Sequence, residues 1–470
     1  MRVPSLGTRL GTGIVVALAA CLGLGLAADA ARHSAPAARC NLRYRGFAGF
    51  GYRDLKAADV DSLGLGDRRG IVLTQVVPGS PAERAGFKVG DIITGYDQHP
   101  ILDGSGLASA IRLYFAGDTV SVSMIRQGLA LKQPLVLASF PPEASKDVET
   151  EYTCFVTGGV RLRAVVTSPL ASGKTKLPAM LLVSALGSPR LIGMPNYSTG
   201  REIAYAATKA GFRVLRFELR GSGDSEGEDY RETDFTAEVN DNLAAFDYLV
   251  SRPDVDPAQV FVMGHSTGGM VAAIIASRRE TAGLIVSCTI GRTFYERSLE
   301  TLRLQSEFAG DPPSVTDTKL KEYLDLMTAA ARGDSLSEIT ARNPALAKYV
   351  NTSGRIMDDR NLAYWREQLN LNLPDIYAHV TEPVLIIYAA SDFLTELACH
   401  EAIRDVLKAA GNRDVTLAVV PETDHAYAYA RDKREAYDSY AKSDRKPNPE
   451  PFRRVAEWLQ AHQTGGTPHE

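Results

Sequence analysis

The run Gly264-His265-Ser266-Thr267-Gly268 constrains this chain more than any other feature. It is a Gly-x-Ser-x-Gly turn between two stretches of opposite character. Gln259-Val260-Phe261-Val262-Met263 is short, apolar and β-prone, and reads as a buried strand. Gly269 to Ser277, rich in Ala and Ile, reads as a helix. A turn between such elements lifts the serine hydroxyl above a sheet at a helix N-terminus, the form of a nucleophile elbow. The two outer glycines keep that turn free of side-chain clashes. A glycine-rich turn that merely contains a serine would need no such flanks.

The surrounding chain alternates in the same way. Strands are expected at 160–167, 179–184, 213–218, 259–263, 283–288, 384–388 and 415–420. Helices are expected at 201–210, 235–251, 269–277, 396–410 and 451–461. This rhythm predicts an α/β fold with right-handed crossovers and a mainly parallel sheet. It breaks between Thr289 and Val380, where about 90 residues carry helical patterns and no clear strand. An insertion at about 291–380 would cover the C-terminal edge of the sheet as a lid. The lid's large residues, Phe294, Tyr323, Tyr364 and Trp365 among them, would either line an apolar pocket or form the lid's own core.

An activated serine needs a base, and the base needs an acid to orient it. Ser266, Asp392 and His425 occur in that chain order, and the last two each follow an apolar strand and a turn. They are therefore the expected nucleophile, acid and base. His400 and His379 are alternative bases, though one falls within an expected helix and the other at the end of the lid. Asp392 could instead cap the following helix, a task open also to Thr395, and His425 could be a surface-loop residue. Asp424 adjoins His425, and neighbouring side chains rarely face one another, so it is not assigned the acid role. His265 is expected to pack beside the elbow. A developing oxyanion needs donors. The backbone N–H of Thr267 supplies one, and Leu186, in the loop after the 179–184 strand, is the expected second. The chemistry requires no metal and no organic cofactor.

Residues 40–138 read as a compact β-rich unit, with strands at 70–76, 119–126 and 131–137. The segment from Ser80 to Ile93, Ser-Pro-Ala-Glu-Arg-Ala-Gly-Phe-Lys-Val-Gly-Asp-Ile-Ile, resembles a PDZ domain of the bacterial HtrA-protease type. The resemblance implies capture of extended peptides or protein C-termini by strand addition. It maps the carboxylate-binding loop onto 47–52, with Gly49, Phe50 and Gly51 as its centre. A spacer or dimer contact is the alternative use. Residues 139–150, polar and containing proline, read as a linker to a domain spanning 151–465.

In that second domain, Arg220-Gly221-Ser222-Gly223-Asp224-Ser225-Glu226-Gly227, the segment from Tyr248 to Pro257, and Tyr364-Trp365-Arg366 join the elbow. Together they are similar to bacterial esterases related to serine aminopeptidases and prolyl-oligopeptidase-type hydrolases. The resemblance implies an α/β-hydrolase fold with a helical lid, and assigns Arg220 and Asp224 to turn formation. Three functions follow: an esterase acting through an acyl-enzyme, a peptidase fed by the PDZ domain, or a PDZ scaffold with incidental activity. The intact Ser, Asp and His argue against the last.

The N-terminus reads as an export signal, with Arg2 and Arg9 before the apolar stretch 14–26 and an Ala28-Asp29-Ala30 cleavage site. Leu18-Ala19-Ala20-Cys21 has lipobox form, so a lipid anchor on Cys21 competes with soluble release, and an uncleaved anchor is the third outcome. All three place the folded part outside the cytoplasm, in the periplasm or beyond. Export permits a disulfide. Cys40 and Cys154 precede the two expected domains and could clamp them, whereas Cys288 lies in an apolar strand as a small hydrophobe. A net charge of −4 gives no footprint for nucleic acid, and no Cys/His spacing resembles a zinc site.

Overall fold

The computed structural model describes residues 40–56, 69–143, 145–170, 176–185, 198–350, 355–356, 360–440, 442 and 445–463. The export segment, Cys21 and Leu186 lie outside them. The described chain holds two sheets. The first is formed by β1 (Phe50–Asp54), β2 (Ile71–Val76), β3 (Ile92–Tyr96), β4 (His99–Pro100), β5 (Thr119–Arg126) and β6 (Leu129–Val136). Its order is β1-β2-β3-β5-β6, with β4 on β3. Ile71, Leu73, Ile93, Val120 and Val122 are buried in its core. The expected loop at 47–52 needs correcting: Phe50 and Gly51 belong to the edge strand β1, and only Gly49, with φ +84°, sits in the turn before it.

A helix absent from the sequence reading, Gly104–Ile111, lies beside β1. Its glycine- and serine-rich sequence has poor helix propensity. The Asp103 side chain caps it by accepting the Gly106 N–H, and Leu107 and Ala110 are buried beneath it. Gly104 N–H also donates to Asp54 Oδ1 at 2.6 Å, tying the start of this helix to the end of β1.

The second sheet comprises β7 (Val148–Thr157), β8 (Val160–Pro169), β9 (Leu177–Val183), β10 (Arg213–Phe217), β11 (Val255–His265), β12 (Gly283–Ser287), β13 (Val384–Ala389) and β14 (Val415–Val420). Its order is β14-β13-β12-β11-β9-β10-β8-β7, parallel from β14 to β10 and antiparallel at β8 and β7. β7 was not expected, and its first residues fall within the stretch read as linker. The central strands are buried on both faces. Leu181, Val183 and Val262 enter one core, and Met180, Leu182, Phe261 and Met263 enter the other, a strict period of two.

Between β12 and β13 the described chain is helical, with helices at Phe294–Phe308, Pro313–Arg332, Leu336–Arg342, Leu362–Leu369 and Leu373–Ala378. The first starts at a capping box: Thr293 accepts the Glu296 N–H while the Glu296 carboxylate accepts the Thr293 N–H.

The two sheets are joined by more than a flexible segment. Cys40 and Cys154 form a disulfide with their Cα atoms 5.5 Å apart. Arg45 N–H donates to Asp224 Oδ1 at 2.7 Å, and Arg112 lies 3.4 Å from Asp229. Glu143, in the expected linker, takes both ends of the Arg216 guanidinium at 2.7 and 3.1 Å, and these side chains are 3% and 2% exposed. Removing one partner of such a pair strands a buried charge. Glu143→Ala is expected to destabilise the protein by about 3–5 kcal/mol, measured by urea denaturation; a loss below about 1 kcal/mol would show that water reaches Arg216.

Candidate active site

Three strands of the second sheet deliver the expected residues to one place. β11 ends in the elbow, where Ser266 adopts φ 56° and ψ −130°, a conformation that L-residues rarely hold. The turn closes because Ser266 N–H donates to Ser287 O on β12 at 2.8 Å and Thr289 Oγ1 donates to Ser266 O at 2.7 Å. Gly264 and Gly268 are required by close approach: a Cβ would lie 2.1 Å from Gly268 O in the first case and 2.7 Å from Ser184 O in the second.

Asp392 follows β13 and His425 follows β14. Ser266 Oγ lies 3.0 Å from His425 Nε2, and His425 Nδ1 lies 2.7 Å from Asp392 Oδ2. Asp392 is fully buried. It does not cap the Leu397–Ala409 helix, which begins at Glu396 without a side-chain cap. Its Oδ1 instead accepts the N–H groups of Leu394 (2.7 Å) and Thr395 (3.1 Å), and its Oδ2 accepts the Thr395 hydroxyl at 2.6 Å. Burial raises the pKa of this carboxyl, but the His425 charge, together with hydrogen bonds from His425, Thr395 and Leu394, outweighs burial and holds it at about 2. The acid is thus ionised throughout the neutral range. Thr395 was legible in the sequence only as a possible cap.

The other candidates are occupied elsewhere. His400 Nε2 accepts the Thr289 N–H at 3.2 Å, and its Nδ1 faces Glu396 O at 2.9 Å; burial lowers its pKa to about 4, so it is neutral. His379 is exposed and bonds to Asp375 O. Asp424 accepts the N–H groups of Ala426 and Ala428 and pairs with Arg445. His265 packs with its ring centre 5.0 Å from that of His425, and burial first, then the His425 charge, lowers its pKa to about 3. Arg220 forms a two-pronged pair with Asp241 at 3.0 and 2.5 Å, away from Ser266. Cys288 is buried beside Asp392, and burial followed by that negative charge raises its pKa well above the usual thiol value. It therefore stays a neutral thiol.

Ser266 and His425 open onto a cleft of about 680 Å³ walled by the lid. Thr267 lines it at the first position of the helix Thr267–Ala276. Of the lid's large residues, Phe294, Tyr323 and Trp365 border the cleft, and Phe294 and Trp365 are at the same time buried in the core with Met327 and Tyr364.

A mainly parallel sheet with a serine elbow after a central strand and a helical lid before β13 defines an α/β hydrolase. The family model described as "Serine aminopeptidase, S33" matches residues 196–431, half of the chain, and the chain belongs to that family. A PDZ-domain model matches residues 46–133. The chain is thus a serine hydrolase carrying an N-terminal PDZ domain. Over its PDZ region it is similar to a probable periplasmic serine endoprotease, DegP-like, of Rhizobium meliloti, at 29% identity over 102 residues, 22% of this chain and 20% of that protein. It is also similar to the thiohydrolase aneE of Aspergillus aculeatus, at 29% identity over 137 residues, 28% of this chain and 43% of that one. The chain thus spans about a fifth of the DegP-like relative and under half of the thiohydrolase. Among solved structures it is similar to the Pyrococcus furiosus esterase PF2001, with 16% identity, a TM-score of 0.43, and coverage of 69% of this chain and 97% of that one.

Proposed function

We propose that this chain is an exported serine hydrolase that cleaves carboxylic esters through an acyl-enzyme. The observation that carries the reading is the continuous hydrogen-bonded line Ser266–His425–Asp392 opening on a cleft. Ser266 Oγ attacks the ester carbonyl as His425 Nε2 takes its proton. His425 returns that proton to the leaving alkoxide, and water then releases the acid by the same path in reverse. Asp392 holds His425 with Nδ1 protonated. The N–H groups of Thr267 and Leu186 hold the oxyanion.

An ester is favoured over a peptide N-terminus on charge. An aminopeptidase must hold a protonated α-amine beside the scissile bond, which calls for a carboxylate. Among the described residues no Asp or Glu lines the cleft. Among the described residues β1 pairs on one side only, with β2, and its other edge, beside the Gly104–Ile111 helix, suits addition of an extended peptide, with Gly49, Phe50 and Gly51 at its start. Peptidase action on peptides delivered there is the second reading. Export agrees with the Cys40–Cys154 disulfide, and no described helix is long and apolar enough to cross a membrane.

Purified protein tested on p-nitrophenyl esters of graded chain length and on aminoacyl p-nitroanilides separates these readings. Ester turnover without amide turnover is expected. Amide cleavage at a comparable kcat/KM would transfer the function to the peptidase reading.

A further inference from the structure

The cleft carries a positive charge, Arg297, that packs against the Phe294 ring 5.9 Å away and that no carboxylate neutralises among the described residues. One face of the Phe294–Phe308 helix forms its wall, presenting Phe294, Arg297, Ser298, Thr301 and Gln305 at helical spacing. The acids of that helix nearest Arg297 are engaged elsewhere, since Glu296 and Glu300 both pair with Arg292. Arg297 donates its Nε–H to Leu394 O at 3.0 Å, the same carbonyl that receives the Thr301 hydroxyl at 2.9 Å. That anchors the guanidinium, and among the described residues no carboxylate meets its two terminal nitrogens. Beside it, Ser298 is 4% exposed and its hydroxyl has no hydrogen-bond partner. A buried hydroxyl left unpaired is costly unless a ligand completes it. The described lining otherwise consists of neutral polar, aromatic and leucine side chains, with His425 as the base.

We infer that the substrate carries a carboxylate, held by the terminal N–H groups of Arg297 and the hydroxyl of Ser298, at the far end of one half of the ester. Aromatic walls at Phe294 and Trp365 take the apolar stretch between that carboxylate and the scissile bond. This assignment rests on the ester-hydrolase reading above and adds the substrate class to it. Arg297 thereby acts in specificity: it selects the anionic ester through a charge-assisted hydrogen bond.

The test compares charged and capped esters. Mono-p-nitrophenyl suberate and its methyl ester place the charge on the acyl side; 4-acetoxybenzoate and its methyl ester place it on the leaving side. The native protein is expected to prefer the charged member of at least one pair. Arg297→Gln should lower that charged-to-capped ratio of kcat/KM about ten- to a hundredfold, mainly through KM. Arg297→Lys should restore much of the ratio, which a purely structural role for Arg297 would not do, and Ser298→Ala should lower it further by a smaller factor. A ratio unchanged in Arg297→Gln overturns the assignment. If no ester is turned over, calorimetric titration with suberate and with 4-hydroxybenzoate decides. Binding that Arg297→Gln abolishes upholds the anion site while the ester reading falls, and absence of binding overturns the site as well.

Discussion

Asp392→Asn is expected to lower kcat on a p-nitrophenyl ester by about 10⁴-fold while leaving the protein folded. The reason lies in how the carboxylate is held. Its Oδ1 accepts two backbone N–H groups, from Leu394 and Thr395, which only an oxygen can satisfy. In the asparagine variant the amide oxygen must therefore occupy that position. The NH₂ group is then left facing the Thr395 hydroxyl, which can rotate to accept, and His425 Nδ1. A donor in that place forces Nδ1 to accept and moves the imidazole proton to Nε2, where it meets Ser266 Oγ. A protonated Nε2 cannot take the serine proton. The measurement is kcat on one ester, with circular dichroism to verify folding. A loss of less than about tenfold would mean that Asp392 supports the fold rather than the histidine tautomer.

The same carboxylate sets a pH dependence. Its folded pKa, about 2, is below that of a free carboxyl. Its contribution to stability is therefore complete above the unfolded value and is lost as pH falls through the folded one.

Much of this arrangement was legible in the sequence. The Gly264–Gly268 run fixed the elbow because a strand, a sharp turn and a helix leave few alternatives, and the helix expected at 235–251 is found at Phe235–Ser251, where the structure adds Asp234 as its cap. Asp392 and His425 were found from their positions after apolar strands. What escaped was of another kind. β7 alternates, but Glu149, Glu151 and Thr153 on its polar face, following a proline-containing stretch, masked its period. Helix Gly104–Ile111 has a weak local signal and is held by one cap and its packing. Arg297 was not singled out in the sequence, because which face of its helix meets Ser266 depends on contacts between segments nearly a hundred residues apart, such as Arg297 with Leu394. Local patterns carry no such information.

The second large effect concerns the nucleophile. Ser266→Ala removes the atom that forms the acyl bond, so ester kcat should fall by about 10⁶-fold, to the residual level that binding and oxyanion contacts give. The variant should fold normally, because the elbow is built from backbone hydrogen bonds and glycine contacts that the hydroxyl does not share. Alanine keeps the strained φ at this position, so any stability change should stay small.

The most direct measurement is intact mass after treatment with a fluorophosphonate, followed by peptide mapping, on native protein and on Ser266→Ala. One adduct per chain is expected on the peptide containing Ser266, formed in the native protein and absent from the variant. An adduct of equal yield in Ser266→Ala, or one mapped to another residue of the native protein, would contradict Ser266 as the nucleophile.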